Sequence, residues 1–501
     1  MYYPDFEAFE KLAEVGNLIP IYKEILADTE TPVSALMKLC SKPNVFFLES
    51  VEGGEKWGRY TFLGSDAHII FKVKGEDVLV QENGQIHGYK HEGDPMRFLK
   101  SLLHIYRPVP VDGLPRFYGG AVGFLSYDMV RYFEKLPDGA KEDLKTDDAI
   151  FVITDTLMIF DNVRHTIKAV ACAMTEGRKD LRAVYDAATK KIDQMIEMMR
   201  SPAEERELCR EGGEDGPPQS NMTPEYFKAM VRRAKDYIVS GDVIQVVLSQ
   251  RFQKENRVDP IDLYRALRYI NPSPYLFFLK LGDLILIGSS PEVMVRLEEG
   301  VAELRPIAGT RKRGRDEHED RSLSDELLQD PKERAEHVML VDLGRNDLGR
   351  IARIGSVQVD QFMAVERYSH VMHLVSHIQA HVSRDKDAFD LLKATFPAGT
   401  LSGAPKIRAM EIIDELEPCR RGPYGGAVGY FSYTGNMDFC ITIRTMVIKD
   451  GRIYIQAGAG IVADSDPEAE YQETVNKAKG MMEAIRMASS RLEIAKKNTR
   501  F

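Results

Sequence analysis

The chain has 501 residues, a formal net charge of −10 and 44% hydrophobic residues, a composition that is ordinary for a globular protein. The negative charge argues against a protein that coats nucleic acid, and the longest apolar runs are strand-sized, so we expect no membrane span. The N-terminus has neither the basic nor the apolar segment of a signal peptide, and the five cysteines are scattered and odd in number. We therefore expect a cytoplasmic protein whose thiols are reduced.

Helical and strand patterns alternate in the N-terminal part of the chain. Residues 5–28 carry an apolar helical face and predict a first helix, and Thr31-Pro32 predicts the start of a second helix that runs to Leu39. Short strand patterns follow at residues 44–50, 57–64 and 69–74. A charged helical pattern covers residues 176–200. Short strands separated by turns favour an antiparallel sheet in this part of the chain.

One glycine-rich segment occurs twice. Residues 118–127 read Tyr-Gly-Gly-Ala-Val-Gly-Phe-Leu-Ser-Tyr, and residues 424–433 repeat this sequence with Tyr-Phe in place of Phe-Leu. A match of this length is too long for chance, and glycines inside strands let two backbones approach closely. We predict that the two segments form similar strands that pack against each other at their glycines.

The composition changes between residues 201 and 222, where Glu, Gly, Pro and Ser predominate and apolar periodicity is lost. Such a segment is typical of a linker. We therefore predict three parts: an N-terminal sheet-containing part at 1–200, a linker at 201–222, and a C-terminal catalytic domain at 223–495.

Two helical patterns in the C-terminal part begin with Asp-Pro, at Asp330 and Asp466, and each presents paired glutamates three residues apart. The glutamates are Glu333 and Glu336 on the first helix, and Glu470 and Glu473 on the second. Lys477 lies on the same face of the second helix, because residues three and four apart are neighbours. Either pair alone is typical of a solvated helix face. Two matched pairs beside glycine-rich turns favour a shared Mg²⁺ site, since Mg²⁺ prefers oxygen ligands.

Other chemically useful residues follow strands or turns. Glu292 follows an apolar strand, and Gly458–Gly460 would let the backbone approach a ligand without interference from a Cβ atom. Arg444 lies on a strand predicted at 438–446, and an arginine fork suits a carboxylate, although a single strand arginine is unexceptional. His373 taken alone is more often a structural histidine than a catalytic one.

Five segments carry a family resemblance: Glu49-Ser50, Asn271–Phe277, Pro306–Thr310, Gly399–Lys406 and Gly458–Gly460. Together they strongly resemble the large-subunit anthranilate synthases, a family of chorismate-utilising enzymes, from about residue 5 to residue 490. The resemblance implies a mixed α+β fold, with antiparallel sheets in a sandwich-like core and helices outside. It also implies a Mg²⁺-dependent lyase that starts tryptophan biosynthesis: ammonia adds at C2 of chorismate, the 4-hydroxyl departs, and pyruvate is then eliminated.

The resemblance assigns roles to individual residues of the active site. It implies Glu336 and Glu473 as the main Mg²⁺ ligands, with Glu333 and Glu470 assisting. The residues implied in substrate binding are Gly309, Thr310, Tyr424, Arg444, Gly458, Ala459, Gly460 and Lys477. Glu292 resembles the general acid that protonates the departing hydroxyl, His373 the base for pyruvate elimination, and Thr400 a further active-site hydroxyl.

The resemblance also implies regulation and a partner. The residues that resemble the tryptophan feedback pocket are Glu49, Ser50, Pro274, Tyr275 and Leu276. No Gly-x-Cys-x-Gly glutaminase motif surrounds any of the cysteines. The ammonia is therefore expected from a separate glutamine amidotransferase subunit, as is typical of the family.

Two positions distinguish the chain from related enzymes. Relatives that add water carry a lysine where this chain has Gln245, and glutamine cannot activate water. Aminodeoxychorismate synthases carry a lysine nucleophile where this chain has Ala308. The alternatives that stay open are an aminodeoxychorismate synthase, a non-catalytic tryptophan-binding regulator, and a phenazine-type enzyme that stops before pyruvate loss, which His373 disfavours.

Overall fold

A computed structural model describes residues 1–50, 58–177, 179–202, 216, 218–368, 371–490 and 492. Most of the predicted linker, at 203–215 and 217, and the first residue of the strand predicted at 57–64 lie outside the described residues. No helix in the described ranges is long and apolar enough to cross a membrane.

The helices of the described chain begin, in most cases, at an Asp or Thr whose side chain accepts a hydrogen bond from the first turn. The α-helices are α1 Phe6–Ala13, α2 Pro32–Leu39, α3 Met96–His104, α4 Leu181–Arg200, α5 Pro224–Val239, α6 Pro260–Ile270, α7 Glu317–Gln329, α8 Pro331–Gly349, α9 Ala388–Thr395, α10 Lys406–Leu416 and α11 Pro467–Ser489. Two 3₁₀ turns, at Tyr127–Tyr132 and Gly399–Leu401, also contribute to the sites described below.

The strands form two sheets. They are β1 Leu18–Leu26, β2 Asn44–Glu49, β3 Tyr60–Gly64, β4 Ala67–Lys74, β5 Asp77–Glu82, β6 Gln85–Lys90, β7 Gly120–Leu125, β8 Ala149–Thr154, β9 Thr156–Asp161, β10 Thr166–Met174, β11 Gln219–Ser220, β12 Gln245–Glu255, β13 Tyr275–Leu281, β14 Leu284–Ser290, β15 Val293–Glu298, β16 Val301–Leu304, β17 Ile307–Lys312, β18 Gln358–Arg367, β19 Val371–His381, β20 Gly403–Ala404, β21 Ala427–Ser432, β22 Met437–Ile441, β23 Thr445–Lys449 and β24 Arg452–Ile461.

Each sheet contains 12 strands among the described residues. The first runs in the order β1-β10-β9-β3-β2-β13-β14-β23-β24-β12-β11, with β20 paired to β12, and the second runs β17-β19-β16-β15-β22-β21-β7-β8-β4-β5-β6, with β18 paired to β19. The pairings between these strands are antiparallel. The mixed α+β fold with antiparallel sheets is therefore confirmed.

The largest apolar core lies between the two sheets. It joins Phe46 and Phe277 of the first sheet to Phe124 and Phe151 of the second. Strands β7, β8, β9, β21 and β22 are buried along their whole length, which explains why they read as nearly continuous apolar runs. Helices α1, α2, α4, α6 and α11 cover the outer face of the first sheet. The arrangement is a sandwich with helices outside.

Both sheets draw strands from the two ends of the chain. In the first sheet β2 pairs with β13, and in the second β7 pairs with β21. Each sheet contains strands from both the 1–200 and the 223–495 ranges. The domain boundaries at these positions stay a prediction. The two sheets bring residues from distant parts of the sequence to one site.

The repeated segment behaves as predicted. Its two copies supply β7 and β21, which pair antiparallel with Gly123 opposite Gly429. A Cβ atom on Gly120 would lie 2.1 Å from the Phe431 carbonyl oxygen, and Gly120 has a positive φ of 137°. Glycine is required here by the close approach of the other copy.

The helix predicted at 5–28 is wrong in its second half. Helix α1 ends at Ala13, and the remainder forms β1, which pairs with β10. The chain turns at Gly16, where a Cβ atom would lie 2.4 Å from the Arg107 carbonyl oxygen. The buried side chain of Asn17 then bonds the carbonyl of Ile105 at 2.8 Å. Strand pairing and these tertiary contacts override the helical pattern.

Candidate functional site

A cavity of about 520 Å³, called here the central cavity, lies between strand ends and two helix starts. Its volume falls within the range of small-molecule sites. The lining residues come from β12, β17, β24, α8, α11, the 3₁₀ turn at Gly399–Leu401 and the turn after β14. Predicted site residues that line it are Glu292, Gly309, Thr310, Glu333, Glu336, Thr400, Tyr424, Arg444, Gly458, Gly460, Glu470, Glu473 and Lys477. The fold thus brings most of the predicted site together.

The acidic side of the central cavity is built by the N-terminal turns of α8 and α11. Asp330 caps α8 by accepting from the amides of Lys332 and Glu333, with proline as the first helical residue. Asp466 caps α11 in the same way. These caps fix the first turns, so each pair of glutamates points from a helix start into one space.

Burial and neighbouring charges shift the pKa of two glutamates on the acidic side of the cavity, Glu336 and Glu470. Burial raises the pKa of Glu336, and the negative charges of Glu333 and, more weakly, Glu473 raise it further. Burial also raises the pKa of Glu470, against a hydrogen bond from Ser465 that lowers it. Carboxylates of two separate helices therefore repel one another across the cavity.

A divalent cation would relieve this repulsion, and four carboxylates match its preference for hard oxygen ligands. Among the described residues, no group of three or more His, Cys, Asp or Glu side chains is already gathered around one point. A cation held between the two helices would therefore complete its shell with water or substrate oxygens. The donor set fits Mg²⁺ bound together with an anionic ligand.

The side chain of Lys477 lies on the acidic side of the cavity and bridges α11 and β24. Its Nζ lies 2.7 Å from Glu473 Oε1 and donates to the carbonyl oxygen of Gly458 at 2.9 Å. Arg311, outside the cavity, pairs with Glu333 at 3.3 Å and with Asp330 at 2.8 Å. Glu473 and Glu333 thus pair with cations, whereas burial raises the pKa of both Glu336 and Glu470.

Glu292 combines burial with a position on the cavity wall. The Thr400 hydroxyl donates to Glu292 Oε1 at 3.0 Å. Burial raises the pKa of Glu292 to about 7, although the Thr400 hydrogen bond and the charge of Lys477 act to lower it. A carboxyl group with this pKa is partly protonated at neutral pH and can donate a proton to a ligand.

His373 lies behind the cavity wall and does not line the cavity. Its Nδ1 is 2.9 Å from the Gly309 carbonyl oxygen and 3.2 Å from Thr310 Oγ1. Burial lowers its pKa, so the ring is neutral at pH 7. Because Nδ1 donates to the carbonyl in this arrangement, Nε2 carries the lone pair that a base requires.

Strand β17 presents its residues to the cavity through a bulge between Ala308 and Thr310. Gly309 has a φ of 64°, and a Cβ atom there would lie 2.8 Å from Leu327. Ile307, Gly309 and Thr310 line the cavity, whereas Ala308 is buried and does not. The bulge therefore needs glycine at 309, and it leaves Ile307 and Thr310 facing the cavity while Ala308 points away from it.

Arg444 does not lie inside a strand, so the strand predicted at 438–446 is wrong. The chain there leaves β22 in one sheet and enters β23 in the other, and Arg444 sits at the crossing with a φ of 50°. Burial lowers the pKa of Arg444, and in the described part of the chain no carboxylate raises it. A partly buried guanidinium without a carboxylate partner, facing a cavity, is suited to bind an anion.

Gln456, Gly458 and Gly460, which alternate along β24, line the cavity together with Ala457. A Cβ atom on Gly458 would lie 2.8 Å from the Tyr424 hydroxyl, and one on Gly460 would lie 2.3 Å from Gln245 Nε2. Ala459, between them, is fully buried and packs with α5 and α10 instead. The two glycines make room for the polar side chains of Tyr424 and Gln245 beside a ligand.

The sequence does not predict a site role for several residues that line the cavity. Gln456 lies on the same face of β24 as the two glycines, so the alternation of strand residues is the signal that could indicate it. Lys332 directly follows the Asp-Pro capping motif of α8, and its position in the first helical turn is the signal that could indicate it. Apolar lining residues such as Val247 and Met481 cannot be distinguished from core residues by sequence pattern.

A second cavity of about 60 Å³ lies between the sheets and collects all the residues that resemble a tryptophan pocket. They are Glu49, Ser50, Pro274, Tyr275 and Leu276. Glu49 is held by Arg268, whose Nε and Nη2 donate at 2.7 and 2.9 Å, and by the hydroxyl of Tyr264 at 2.7 Å. The volume is well below the ~300 Å³ of ordinary ligand sites. An amino acid would have to widen this cavity on binding.

Comparison with known proteins places the chain in a family. The profile described as chorismate binding enzyme matches residues 46–483. Anthranilate synthase component 1 of Aquifex aeolicus is 48% identical over 97% of this chain and 98% of that protein. The protein of the same name from Synechocystis sp. is 49% identical over 97% of this chain and 99% of its own length.

A solved structure agrees with this placement. Anthranilate synthase component I from Streptococcus pneumoniae superposes with a TM-score of 0.76 at 40% identity, and the match covers 91% of this chain and 98% of that one. The family match includes every residue found on the central cavity, and of the two sheets it leaves out β1 and the first two residues of β2. The chain therefore belongs to the chorismate binding enzymes.

Proposed function

We propose that the chain converts chorismate and ammonia to anthranilate, pyruvate and water. The observation that carries the proposal is the central cavity, which joins an acidic side, a half-buried acid and an arginine that has no carboxylate partner among the described residues. The similarity to proteins named anthranilate synthase component 1 supports the same reaction. Gln245 on the cavity wall supports the addition of ammonia, because glutamine cannot activate water.

The proposal assigns the acidic side of the cavity to Mg²⁺. Glu336 and Glu473 would be its main ligands, with Glu333 and Glu470 assisting. When bound, Mg²⁺ would supply positive charge that holds the ring carboxylate of chorismate and stabilises charge that develops on the ring.

The opposite side of the cavity orients the substrate. Arg444 binds the enolpyruvyl carboxylate, since its guanidinium has no carboxylate partner of its own among the described residues. Tyr424 and Thr310 contact the substrate from two walls, and the backbone of Gly458–Gly460 approaches it where side chains are absent. Two carboxylates of chorismate are thereby held at opposite ends of the cavity.

The proposed chemical steps use Glu292 as the acid and His373 as the base. Glu292 gives its proton to the 4-hydroxyl, the carbon–oxygen bond breaks, and water leaves as ammonia forms its bond to C2 and returns a proton to the Glu292 carboxylate. His373 then removes the proton from C2, for which its ring must turn into the cavity from behind the wall formed by Gly309 and Thr310. The electron pair of that bond completes the aromatic ring as the enolpyruvyl group departs, and the departing group takes up a proton to become pyruvate. Thr400 keeps Glu292 oriented throughout.

The activity should fall at alkaline pH for a reason that the structure supplies. The protonated form of Glu292 is the active acid, and its pKa is about 7, so kcat/KM for chorismate should decline as the pH rises through that value. The rates must be corrected for the fraction of ammonium present as NH₃. Thr400→Val removes a hydrogen bond that lowers this pKa and should move the decline to higher pH. A corrected profile that stays flat from pH 6 to 9 would count against Glu292 as the acid.

Product identification tests the proposed reaction. The purified chain is supplied with chorismate, Mg²⁺ and ammonium, and the products are followed by fluorescence and mass spectrometry. Anthranilate and pyruvate are expected in equal amounts. An amino compound that retains the enolpyruvyl group would indicate an aminodeoxychorismate synthase or a phenazine-type enzyme. If the chain formed no product but bound tryptophan, it would be a non-catalytic regulator.

We also propose that the second cavity binds tryptophan as a feedback inhibitor. Ser50→Phe should fill it and raise the inhibition constant for tryptophan about tenfold or more, which corresponds to roughly 1.4 kcal/mol. The uninhibited rate should be unchanged, because Ser50 does not line the central cavity. Ser41→Phe, at an exposed position outside both cavities, is the matched control. An unaltered inhibition curve for Ser50→Phe would remove this assignment.

We propose that a glutamine amidotransferase subunit supplies the ammonia. We also propose that the protein is located in the cytoplasm. The name component 1 carried by the relatives supports a second component. Alone, the chain should use ammonium but not glutamine.

A further inference from the structure

One of the largest fully buried side chains in the described structure is a charged one, Arg421. Its Nη2 and Nε lie 2.7 and 2.9 Å from the two carboxylate oxygens of Glu417. The guanidinium also donates to the carbonyl oxygens of Leu401 at 2.6 Å and Val247 at 2.7 Å. A buried cation is costly unless its donors are satisfied, and these contacts satisfy it from three directions.

Both carbonyl partners of Arg421 belong to residues that line the central cavity. Val247 lies on β12, and Leu401 follows Thr400, the residue that bonds Glu292. The guanidinium carbon also lies 5.8 Å from the ring centroid of Tyr424, another lining residue. Arg421 itself does not line the cavity, so it touches the walls from behind.

The N-terminal part of the chain also packs against the guanidinium. The ring centroid of Tyr127 lies 4.6 Å from it, within the range of cation–π contacts. The Tyr127 amide donates to the Gly422 carbonyl oxygen at 2.8 Å, and the Asp128 carboxylate accepts from the Gly422 amide at 2.9 Å. The end of the first repeated segment thus fixes the loop that precedes Tyr424.

The counter-ion extends the network to β24. Glu417 Oε1 accepts from the amide and the hydroxyl of Ser249, both at 2.8 Å. The Ser249 hydroxyl accepts from Gln456 Nε2 at 2.8 Å, and Gln456 lines the central cavity. Hydrogen bonds therefore join three lining residues, Val247, Leu401 and Gln456, to one buried ion pair.

We propose that Arg421 is a positioning residue for the reaction: it holds Val247, Leu401 and Tyr424 in the geometry that the substrate requires. Lysine cannot replace it, because one ammonium lacks the planar fork that serves two carbonyls and a carboxylate while stacking on a ring. A displacement of lining groups by about 1 Å can cost up to about 100-fold in rate. The proposal rests on the proposed assignment of the central cavity to chorismate.

The test compares Arg421→Lys with Arg408→Lys. Arg408 is a half-buried arginine that also bonds carboxylates, those of Asp242 and Glu411, and lies over the ring of Tyr237, but among the described residues none of these partners lines the central cavity. Arg421→Lys should lower kcat/KM for chorismate about 10- to 100-fold per folded molecule, with a raised KM. Arg408→Lys should lower the melting temperature alone. A loss of stability in both variants with kcat and KM within twofold of wild type would overturn the proposal.

A second variant removes the ion pair without leaving a lone buried charge. Replacing a buried pair by apolar residues often preserves folding. Arg421→Met combined with Glu417→Leu should therefore remain folded and still lose kcat/KM, and full activity in this variant would also overturn the proposal. Arg444→Gln tests separately whether the central cavity binds chorismate. If this variant leaves the KM for chorismate unchanged, the assignment of the cavity is wrong, and the role of Arg421 is not what has failed.

Discussion

Glu292→Gln is expected to lower kcat about 10²- to 10⁴-fold, the usual contribution of a general acid. The amide has nearly the shape of the carboxyl group and can still accept the hydrogen bond from Thr400, but it has no acidic proton to give. The binding of chorismate should change little, because Arg444 and the acidic side of the cavity remain. The measurement is steady-state anthranilate formation at saturating ammonium and chorismate.

Glu292→Asp supplies the control for this effect. It retains an acid on a shorter side chain and should recover part of the activity, with a smaller loss than that of Glu292→Gln. A folded Glu292→Gln enzyme with a kcat within threefold of wild type would show that the proton comes from another group.

Glu336→Gln and Glu473→Gln are expected to abolish activity at ordinary Mg²⁺ concentrations, with a loss of about 100-fold or more. Changing groups that only support a metal ligand already costs about 10- to 100-fold in metal affinity, and these side chains are proposed as the ligands themselves. Raised Mg²⁺ should restore part of the rate. The double variant should lose less than the product of the two single losses, since both act on one ion. The concentration of Mg²⁺ at half-maximal rate is the quantity to measure.

Glu468→Gln is the matched control for these two variants. Glu468 lies in the first turn of α11, five residues before Glu473, and pairs with Lys228 outside the cavity. Its replacement should leave the Mg²⁺ dependence unchanged. If Glu468→Gln changed the Mg²⁺ dependence as much as Glu473→Gln does, the effect would come from the negative charge at the start of the helix and not from ligands of a shared ion.

Much of the site follows from local sequence signals. The Asp-Pro starts of α8 and α11 are caps, and the spacing of the glutamates then places them on one helix face. The repeated glycine segment predicts paired strands for the same local reason, since close backbone contact excludes a Cβ atom. These predictions depend on residues a few positions apart.

The parts that could not be predicted depend on contacts between distant residues. The sequence of β1 predicts a helix because the strand that pairs with it, β10, lies far along the chain. The crossing at Arg444 looks like continuous strand in sequence, and only the pairing of β22 and β23 to different sheets reveals the break. Arg421 has no signature at all, because its partners come from β12, a 3₁₀ turn and the N-terminal part.

The location of the bound metal tests the central claim most directly. Mn²⁺, which shares the oxygen ligands of Mg²⁺, can be located in crystals of the chain with chorismate by its anomalous scattering. The account predicts one strong peak between the carboxylates of Glu336 and Glu473, beside the ring carboxylate of the substrate. A peak elsewhere, or none at Mn²⁺ concentrations that support full activity, would contradict it.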